Sequence, residues 1–257
     1  MAAKLPLSVA IVTFNEEKKL AACLESVAPF AAEIVVVDSY STDGSVTCAE
    51  RYGARVTQRA WPGFLAQKNF AFELCTQEWV LGIDHDECVS PELQASIRRA
   101  IEANDPTIAG FEINRKNFYL GRWIEHSWYP DWIIRMARRG KGKWAGSEMH
   151  ARLDVEGEVR RLEGDLHHYP YANLQAHLER TIQYAKMNAT YMAEAGVQAR
   201  WHHVLLRPIG AFLKKMILKG AWLDGIPGVI IAFSSLIGVF AKYAYLWEMQ
   251  RSNKSKY

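Results

Sequence analysis

The chain has 257 residues, of which 49% are hydrophobic and 12% aromatic. This length and composition can bury a full hydrophobic core, which excludes a disordered or fibrous protein and indicates a globular unit with an appendage. The net charge of +3 is unevenly distributed, because the residues from Arg200 onward contain 9 Lys/Arg against 2 Asp/Glu and the preceding part contains 22 against 26.

The first 83 residues alternate strand-like and helix-like patterns. Short apolar runs predict strands at 7–14, 33–38, 54–57 and 79–83. Helices are predicted between them: one carrying Leu20, Leu24 and Val27, one at 46–52 and one at 67–74. Because crossover connections are right-handed, this order predicts a Rossmann-like, doubly wound and mostly parallel α/β sheet.

Polar residues follow three of these predicted strands, at 13–15, at Asp38 and at 84–86. Ligands of such sheets bind beyond the carboxyl ends of the strands, so the sequence predicts a binding site there. Asp84 and Asp86 are suited to hold Mg²⁺ or Mn²⁺ beside phosphate oxygens. An isolated D-x-D pair is more often a solvated acidic loop, but its position after a buried strand favours the metal site.

Two further residues at this edge have alternative interpretations. Asp38 is suited to accept a hydrogen bond from a nucleobase N–H, although an acid there can equally cap the following turn. Lys68, near the start of a predicted helix, is suited to pair with phosphate, although it also fits an ordinary helix start.

The middle section, residues 108–170, is rich in Trp, Tyr, Arg and His. Strand-like pieces at 109–114, 132–136 and 150–155 predict that it completes the sheet and shapes an acceptor site. Its aromatic side chains are suited to stack on sugars or to fill a core, and they are Trp123, Trp128, Tyr129, Trp132 and Trp144.

The C-terminal part predicts helices. A 3.6-residue period indicates a long packing helix at 173–194, and a basic amphipathic helix begins at Pro208. The apolar run 228–241 is about 14 residues long, short of the roughly 20 that span a bilayer, and favours an interfacial or re-entrant segment. We therefore expect a catalytic domain at 1–200 and a tail at 201–257 that associates with an anionic membrane surface. The alternatives are a homo-oligomer interface through these helices or packing on the catalytic domain.

The compartment is predicted to be the cytoplasm. No signal-peptide pattern begins the chain, and the cysteines form no C-x-x-C pair, which argues against a zinc or redox motif and predicts free thiols. These cysteines are Cys23, Cys48, Cys75 and Cys88.

Four motifs in order resemble family-2 glycosyltransferases of the GT-A fold, namely VTFNEE at 12–17, VVDSYSTDGS at 36–45, QKN at 67–69 and DHDE at 84–87. Later segments, at 129–131, 135–140, 149–150 and 168–171, are similar to the lipopolysaccharide core β-1,4-glucosyltransferase (WaaE-like) branch. The resemblance implies a nucleotide-sugar site with Lys68 and His85 at the diphosphate, and with Asp84 and Asp86 at the metal-bound diphosphate, Asp86 being the stronger metal ligand. It also implies a nucleoside pocket of Thr13, Phe14, Asn15, Glu16 and Asp38.

The general base stays open at this point. The branch commonly has His-Glu where this chain has His150 and Ala151, so Glu148 and Asp131 are the carboxylate candidates. His150 is a further catalytic candidate, and His168 is a weaker candidate for holding the metal or diphosphate, because an isolated His is more often a core or surface residue.

The predicted activity is an inverting, metal-dependent transfer of a hexose from a UDP-sugar to a lipid-linked saccharide at the inner face of the membrane. The resemblance implies UDP-glucose and the lipopolysaccharide inner core. A degenerate, non-catalytic nucleotide- or membrane-binding module is the alternative, since Ala151 removes the usual carboxylate. A nucleotidyltransferase is weaker because residues 13–17 contain no glycine, and nucleic-acid binding is not expected because the catalytic part is net acidic.

Overall fold

The computed structural model describes residues 3–147 and 150–254. The chain forms two compact units. The first unit comprises residues 1–116 and 131–168, and the second comprises residues 117–130 and 169–257.

The first unit begins with the predicted alternation of strands and helices. The elements are β1 Leu5–Thr13, α1 Glu17–Val27, β2 Ala31–Asp38, α2 Ser45–Arg51, β3 Arg55–Gln58, α3 Phe64–Glu73 and β4 Trp79–Asp84. The four strands pair in parallel in the order β3-β2-β1-β4. The predicted βαβαβαβ order is therefore confirmed.

The middle section extends this sheet. Its elements are β5 Glu87–Val89, α4 Pro91–Ala103, β6 Ile108–Tyr119, β7 Arg122–Trp123, β8 Trp132–Arg138, β9 Gly142–Ser147, β10 His150–Val155 and β11 Glu158–His168. Among the described residues the main sheet has nine strands, with the path β3-β2-β1-β4-β8-β6-β11-β5 and β7 paired to β6. The pairs β4–β8, β6–β8 and β11–β5 are antiparallel, so the result is a mixed α/β sheet with a parallel half that carries the strand-end residues.

The central parallel strands are apolar on both faces because helices cover both. In β1 the side chains of Leu7, Val9 and Ile11 are buried on one face, and those of Ala10 and Val12 are buried on the other. Burial on both faces explains why these strands have continuous apolar sequences rather than alternating ones. The four cysteines are free, as predicted.

The second unit is largely helical. Its main elements are α5 Leu174–Glu194, α6 Trp201–Leu213, a π-helical turn Lys214–Leu218, a short 3₁₀ helix Ala221–Asp224 and α7 Gly225–Lys254. The predicted start of a helix at Pro208 was wrong, because α6 begins seven residues earlier, where His203 Nδ1 accepts the Arg200 N–H at 3.3 Å. The predicted 14-residue apolar segment was too short, because the helix continues past Lys242 to a length of 30 residues.

The division into units differs from the boundary expected at residue 200. Helix α5 belongs to the second unit, where Ala189 packs with Tyr243 and Leu246 of α7. The 3.6-residue period correctly indicated a packing helix, but a period does not specify which partner covers the buried face.

Candidate active site

Three neighbouring strand ends place the candidate residues at one edge of the sheet. Strand β1 lies between β2 and β4, with Thr13 paired to Asp38 and Val12 paired to Asp84. The parallel register thus brings Thr13, Asp38 and Asp84 to the same level, as the sequence predicted.

The loops after β1 and β2 are hydrogen-bonded to each other. Asn15, with φ +52°, donates its N–H to Ser41 Oγ at 2.8 Å and accepts the Thr42 N–H on Oδ1 at 2.7 Å. The Glu17 N–H at the start of α1 donates to Asp43 Oδ2 at 3.1 Å. The two loops therefore form one connected surface, and Asn15 supplies the left-handed residue that the turn requires.

Asp38 is fully buried within this surface. Its Oδ2 accepts the Ser41 N–H at 2.9 Å and the Gln58 Nε2–H at 3.0 Å, and its Oδ1 accepts the Ser41 hydroxyl. The geometry matches the turn-capping alternative, and it holds the carboxylate rigidly at the strand end. Its contact with a nucleobase stays a prediction.

Two large aromatic side chains project from the connected loops. Phe14 is 54% exposed, and Tyr40, with φ +62°, is 56% exposed. Beside them, the buried Thr13 Oγ1 has no hydrogen-bond partner among the described residues. Tyr40 was missing from the predicted pocket residues, because the sequence cannot indicate that its side chain points outward.

Asp84 is held between two cations. Lys68 Nζ lies 2.6 Å from its Oδ1, and Arg135 Nη2 lies 2.9 Å from its Oδ2. Burial acts to raise the pKa of Asp84, but the charges of Lys68 and Arg135 outweigh it and hold the pKa well below its ordinary value. Both carboxylate oxygens are occupied by these ion pairs.

Arg135 and Glu87 complete this charge cluster. The buried Arg135 donates through Nη2 to Glu87 Oε1 at 2.7 Å, and Glu87 Oε2 accepts the Asp84 N–H at 2.9 Å. Burial acts to lower the pKa of Arg135, yet Glu87 and Asp84 raise it above its ordinary value. Neither Arg135 nor Glu87 was among the predicted site residues, because their pairing depends on β8 lying beside β4.

Asp86 occupies a different environment from Asp84. It is 8% exposed, and its Oδ1 lies 3.6 Å from His168 Nε2. Burial acts to raise the pKa of Asp86, but the interaction with His168 lowers it below the ordinary value. His168 reaches this position because β11 pairs with β5 in a register that sets His168 opposite Glu87.

The donor chemistry at Asp86 fits a divalent cation. The carboxylate oxygen of Asp86 suits Mg²⁺ or Mn²⁺ with phosphate oxygens among the remaining ligands, and the imidazole of His168 lies 3.6 Å from it. Within residues 3–147 and 150–254, no group of three or more His, Cys, Asp or Glu side chains is placed to hold a metal alone. Asp86 and His168 are thus the metal-ligand candidates, and the geometry favours Asp86 over Asp84.

The remaining candidates are distributed around this centre. His85 Nε2 lies 3.8 Å from Glu16 Oε1, which links the loop after β4 to the loop after β1. Asp131 Oδ2 accepts two hydrogen bonds from Arg115, at 2.9 Å from Nε and 2.7 Å from Nη2. Glu148 lies outside the described residues, and His150 is described only as the first residue of β10.

The predicted aromatic cluster is dispersed, and several members have packing roles. Trp144 is buried with Lys68 Nζ 4.4 Å from its ring centroid. Trp128 packs on Tyr119 in the second unit, with the two ring centroids 5.4 Å apart. Stacking on an acceptor sugar stays a prediction for Trp123, Tyr129 and Trp132.

Solved structures share this architecture. A mannosyltransferase from Pyrobaculum calidifontis, in complex with GDP-Man and Mn²⁺, matches with a TM-score of 0.55 and 15% identity over 96% of this chain and 88% of that one. TarS (residues 1–349) from S. aureus, in complex with UDP-GlcNAc, matches with a TM-score of 0.51 and 18% identity over 98% and 92% of the two chains. The fold is accordingly the GT-A fold of glycosyltransferases.

Sequence comparison identifies the family. Residues 8–153 match the model of glycosyl transferase family 2. The lipopolysaccharide core biosynthesis glycosyltransferase LpsC of Rhizobium meliloti (strain 1021) is 30% identical, covering 96% of this chain and 94% of that protein. An uncharacterised glycosyltransferase of Rickettsia typhi is 27% identical over 95% and 86% of the two chains. The chain belongs to glycosyl transferase family 2.

Proposed function

We propose that this glycosyltransferase transfers glucose from UDP-glucose, with inversion, to a hydroxyl of the lipid-linked lipopolysaccharide inner core. The observation that carries the reaction class is the buried Asp86, paired with His168 and adjacent to the Lys68–Asp84–Arg135 cluster. Similarity to LpsC over nearly the whole of both chains supports the acceptor class.

In this proposal the connected loops bind the nucleoside. Thr13, whose buried hydroxyl has no hydrogen-bond partner in the described part of the chain, and Asp38 contact the base, while Phe14, Asn15 and Glu16 complete the pocket. His85 and Lys68 lie toward the diphosphate. Because Lys68 carries three N–H donors and Asp84 accepts from one of them, the remaining donors are available to phosphate oxygens.

Asp86 and His168 hold Mg²⁺ or Mn²⁺ in this proposal, and the bound ion supplies charge neutralisation for the departing diphosphate. The role of the Asp84 carboxylate is to fix Lys68 and Arg135 beside that centre. This assignment keeps Asp86 as the stronger metal ligand, as expected from the sequence, and gives Asp84 an ion-pairing role in place of a metal contact.

The general base is assigned to the acceptor side, with Glu148, Asp131 and His150 as candidates. Asp131 is the weakest of the three, because its Oδ2 already accepts two hydrogen bonds from the Arg115 guanidinium. An inverting displacement requires one such group to deprotonate the attacking hydroxyl.

The proposed location is the cytoplasmic face of the inner membrane, where the second unit binds peripherally. A lipid-linked acceptor is confined to that surface, so association of the enzyme with the membrane raises the local acceptor concentration.

The test measures nucleotide release from UDP-, GDP- and dTDP-sugars by the purified full-length chain, with Mn²⁺, with Mg²⁺ and with a chelator. We expect metal-dependent release from UDP-glucose and a loss of roughly a hundredfold or more in Asp86→Asn, since a metal ligand is removed. Asp154→Asn, which changes an exposed carboxylate on β10, is the matched control and should retain activity. Nucleotide binding without turnover in the unmodified chain would instead favour the degenerate module.

A further inference from the structure

The outer surface of α6 and the turn after it is apolar. Side chains at positions 205, 209, 213 and 217 recur every four residues, so they share one face, and all four are exposed. Leu218, 78% exposed, and Trp222 extend this face around the turn. We call this surface the apolar stripe, and it consists of Leu205, Ile209, Leu213, Ile217, Leu218 and Trp222.

Positive charges flank the apolar stripe. Arg200, Arg207, Lys214 and Lys219 are exposed along α6 and the π-helical turn. Between residues 200 and 247 the single acidic residue is Asp224, and it is buried, accepting the backbone N–H groups of Glu125 at 2.9 Å and Ser127 at 2.8 Å. The exposed surface near the stripe is therefore apolar and cationic, which complements an anionic bilayer.

The segment Ala221–Ser252, which includes most of α7, is long and apolar enough to cross a membrane by length and composition, and 28% of its most apolar stretch is buried. Its other contacts argue against crossing. Gly238 lies close to Thr181 of α5, and further along α7 Tyr243 and Leu246 pack with Ala189 of α5.

The opposite face of α5 is charged. Its exposed residues include Glu179, Arg180, Lys186 and Glu194. If α7 crossed the bilayer, α5 packed beside it would carry these four charges into the hydrocarbon, where ionised side chains are strongly unfavourable. Helix α6, on the other hand, presents its apolar stripe outward, and Phe212 of α6 packs on Phe233 of α7.

We propose that the second unit is monotopic: the apolar stripe inserts into one leaflet of an anionic bilayer, the turn 217–222 goes deepest, and α7 does not cross. This inference rests on the membrane association in the proposed function and adds which surface inserts and how far. The charged face of α5 sets the limit of insertion, because it must stay in the headgroup region or in water.

The first experiment measures co-flotation of the full-length chain with vesicles of phosphatidylcholine, with and without phosphatidylglycerol. We expect binding to anionic vesicles and a roughly tenfold or greater loss in Leu218→Glu, because a charge replaces an exposed leucine that the proposal places in the bilayer. Tyr184→Glu, at an exposed aromatic residue on α5, is the matched control and should bind like the unmodified chain. Unchanged binding by Leu218→Glu, or equal loss in both variants, would overturn the proposal.

A second experiment separates insertion from crossing. In inside-out membrane vesicles from expressing cells, Ser252→Cys should react with an impermeant maleimide, and Leu218→Cys should be protected until detergent is added. Protection of Ser252→Cys would mean that α7 crosses. If the unmodified chain does not bind vesicles but forms a dimer that Leu218→Glu dissociates, the apolar stripe is a protein interface. That result would also overturn the proposal.

Nucleotide release from UDP-glucose, measured on the same preparations, tests the reaction independently of the membrane surface. If the chain releases nucleotide but does not float with vesicles, only the proposed membrane insertion is rejected. If it floats with vesicles but releases no nucleotide, the proposed reaction is rejected and the proposed membrane-binding surface is still supported.

Discussion

Asp84 and Asp86 are two residues apart, yet their surroundings give them different chemistry. Asp84 forms ion pairs through both oxygens, with Lys68 and Arg135, while Asp86 lies beside a single imidazole. A carboxylate with two cationic partners has little capacity left for a metal. At the residue scale, the D-x-D spacing does not reveal that Asp84 forms ion pairs through both oxygens, and the metal-binding role of Asp86 stays a prediction.

Asp84→Asn should therefore act mainly on stability. Removing one partner of a buried ion pair leaves uncompensated charge on Arg135 and Lys68, although Glu87 still pairs with Arg135, so we expect a loss of about 3 kcal/mol in the free energy of unfolding. Asp86→Asn should cost less than about 1 kcal/mol, since it leaves no cation unpaired within hydrogen-bond distance. Urea denaturation of both variants at pH 7 measures this difference, and a larger loss in Asp86→Asn would contradict the assignment.

His177 in α5 predicts a pH dependence of stability. It is buried, its Nδ1 lies 2.6 Å from the Tyr119 hydroxyl, and burial lowers its pKa from 6.5 to about 4. Between these values the unfolded chain binds a proton that the folded chain does not, so the free energy of unfolding falls as the pH is lowered. We expect a loss of about 2 kcal/mol from this group between pH 6.5 and pH 5.

The check is denaturation at several pH values for the unmodified chain and for His177→Gln, which keeps a hydrogen-bond acceptor near Tyr119 but does not titrate. The variant should be less stable at pH 7 yet lose less stability on acidification. Identical pH slopes for the two proteins would show that His177 titrates normally in the folded state.

At the scale of elements, the parallel half of the sheet and its polar strand ends were predictable, whereas the contacts that β8 and β11 bring to them were not. Strand β2 has a continuous apolar sequence that ends at Asp38, so both its burial and its polar end are visible in the sequence. The contact of His168 with Asp86 depends instead on the register of β11 against β5, and that of Arg135 on β8 lying beside β4. Such pairings join residues 48 or more positions apart, which local patterns do not specify.

The junction of β11 with α4 gives a stability prediction at this scale. Gly164 has φ +86°, and a Cβ atom there would lie 2.3 Å from the backbone nitrogen of Leu93. Gly164→Ala should lower the free energy of unfolding by about 3 kcal/mol or more, because left-handed strain adds to a clash with backbone atoms.

Gly140→Ala is the matched control. Gly140 has a similar φ of +82°, but no described atom lies within 4 Å of the Cβ position. This variant should lose only about 1–2 kcal/mol, the cost of the backbone conformation alone. Urea denaturation compares the two, and equal losses would mean that α4 moves away from β11 without cost.

At the scale of the whole molecule, the proposals divide recognition between the two units. The acidic strand ends and most of the family match at 8–153 lie in the first unit, whereas the cationic, apolar surface lies in the second. Charge asymmetry along the sequence indicates the cationic tail, and its role at a membrane stays a prediction. The boundary expected at residue 200 places α5 in the catalytic domain, because a helical period reveals an apolar face but not the partner that covers it.

The proposed division of roles predicts that the membrane-binding surface of the second unit affects the apparent KM for a lipid-linked acceptor but not the rate of the chemical step. With the acceptor embedded in anionic vesicles, Leu218→Glu should raise the apparent KM roughly tenfold and leave kcat nearly unchanged, because weaker membrane binding lowers the local acceptor concentration. With a water-soluble acceptor fragment, the variant and the unmodified chain should have the same kcat and KM.

Raising the salt concentration should increase the KM of the unmodified chain only when the acceptor is in vesicles, since ions screen the attraction of Arg200, Lys214 and Lys219 to the anionic bilayer. A fall in kcat with the soluble fragment would contradict this separation, because it would mean that Leu218 acts on the active site itself.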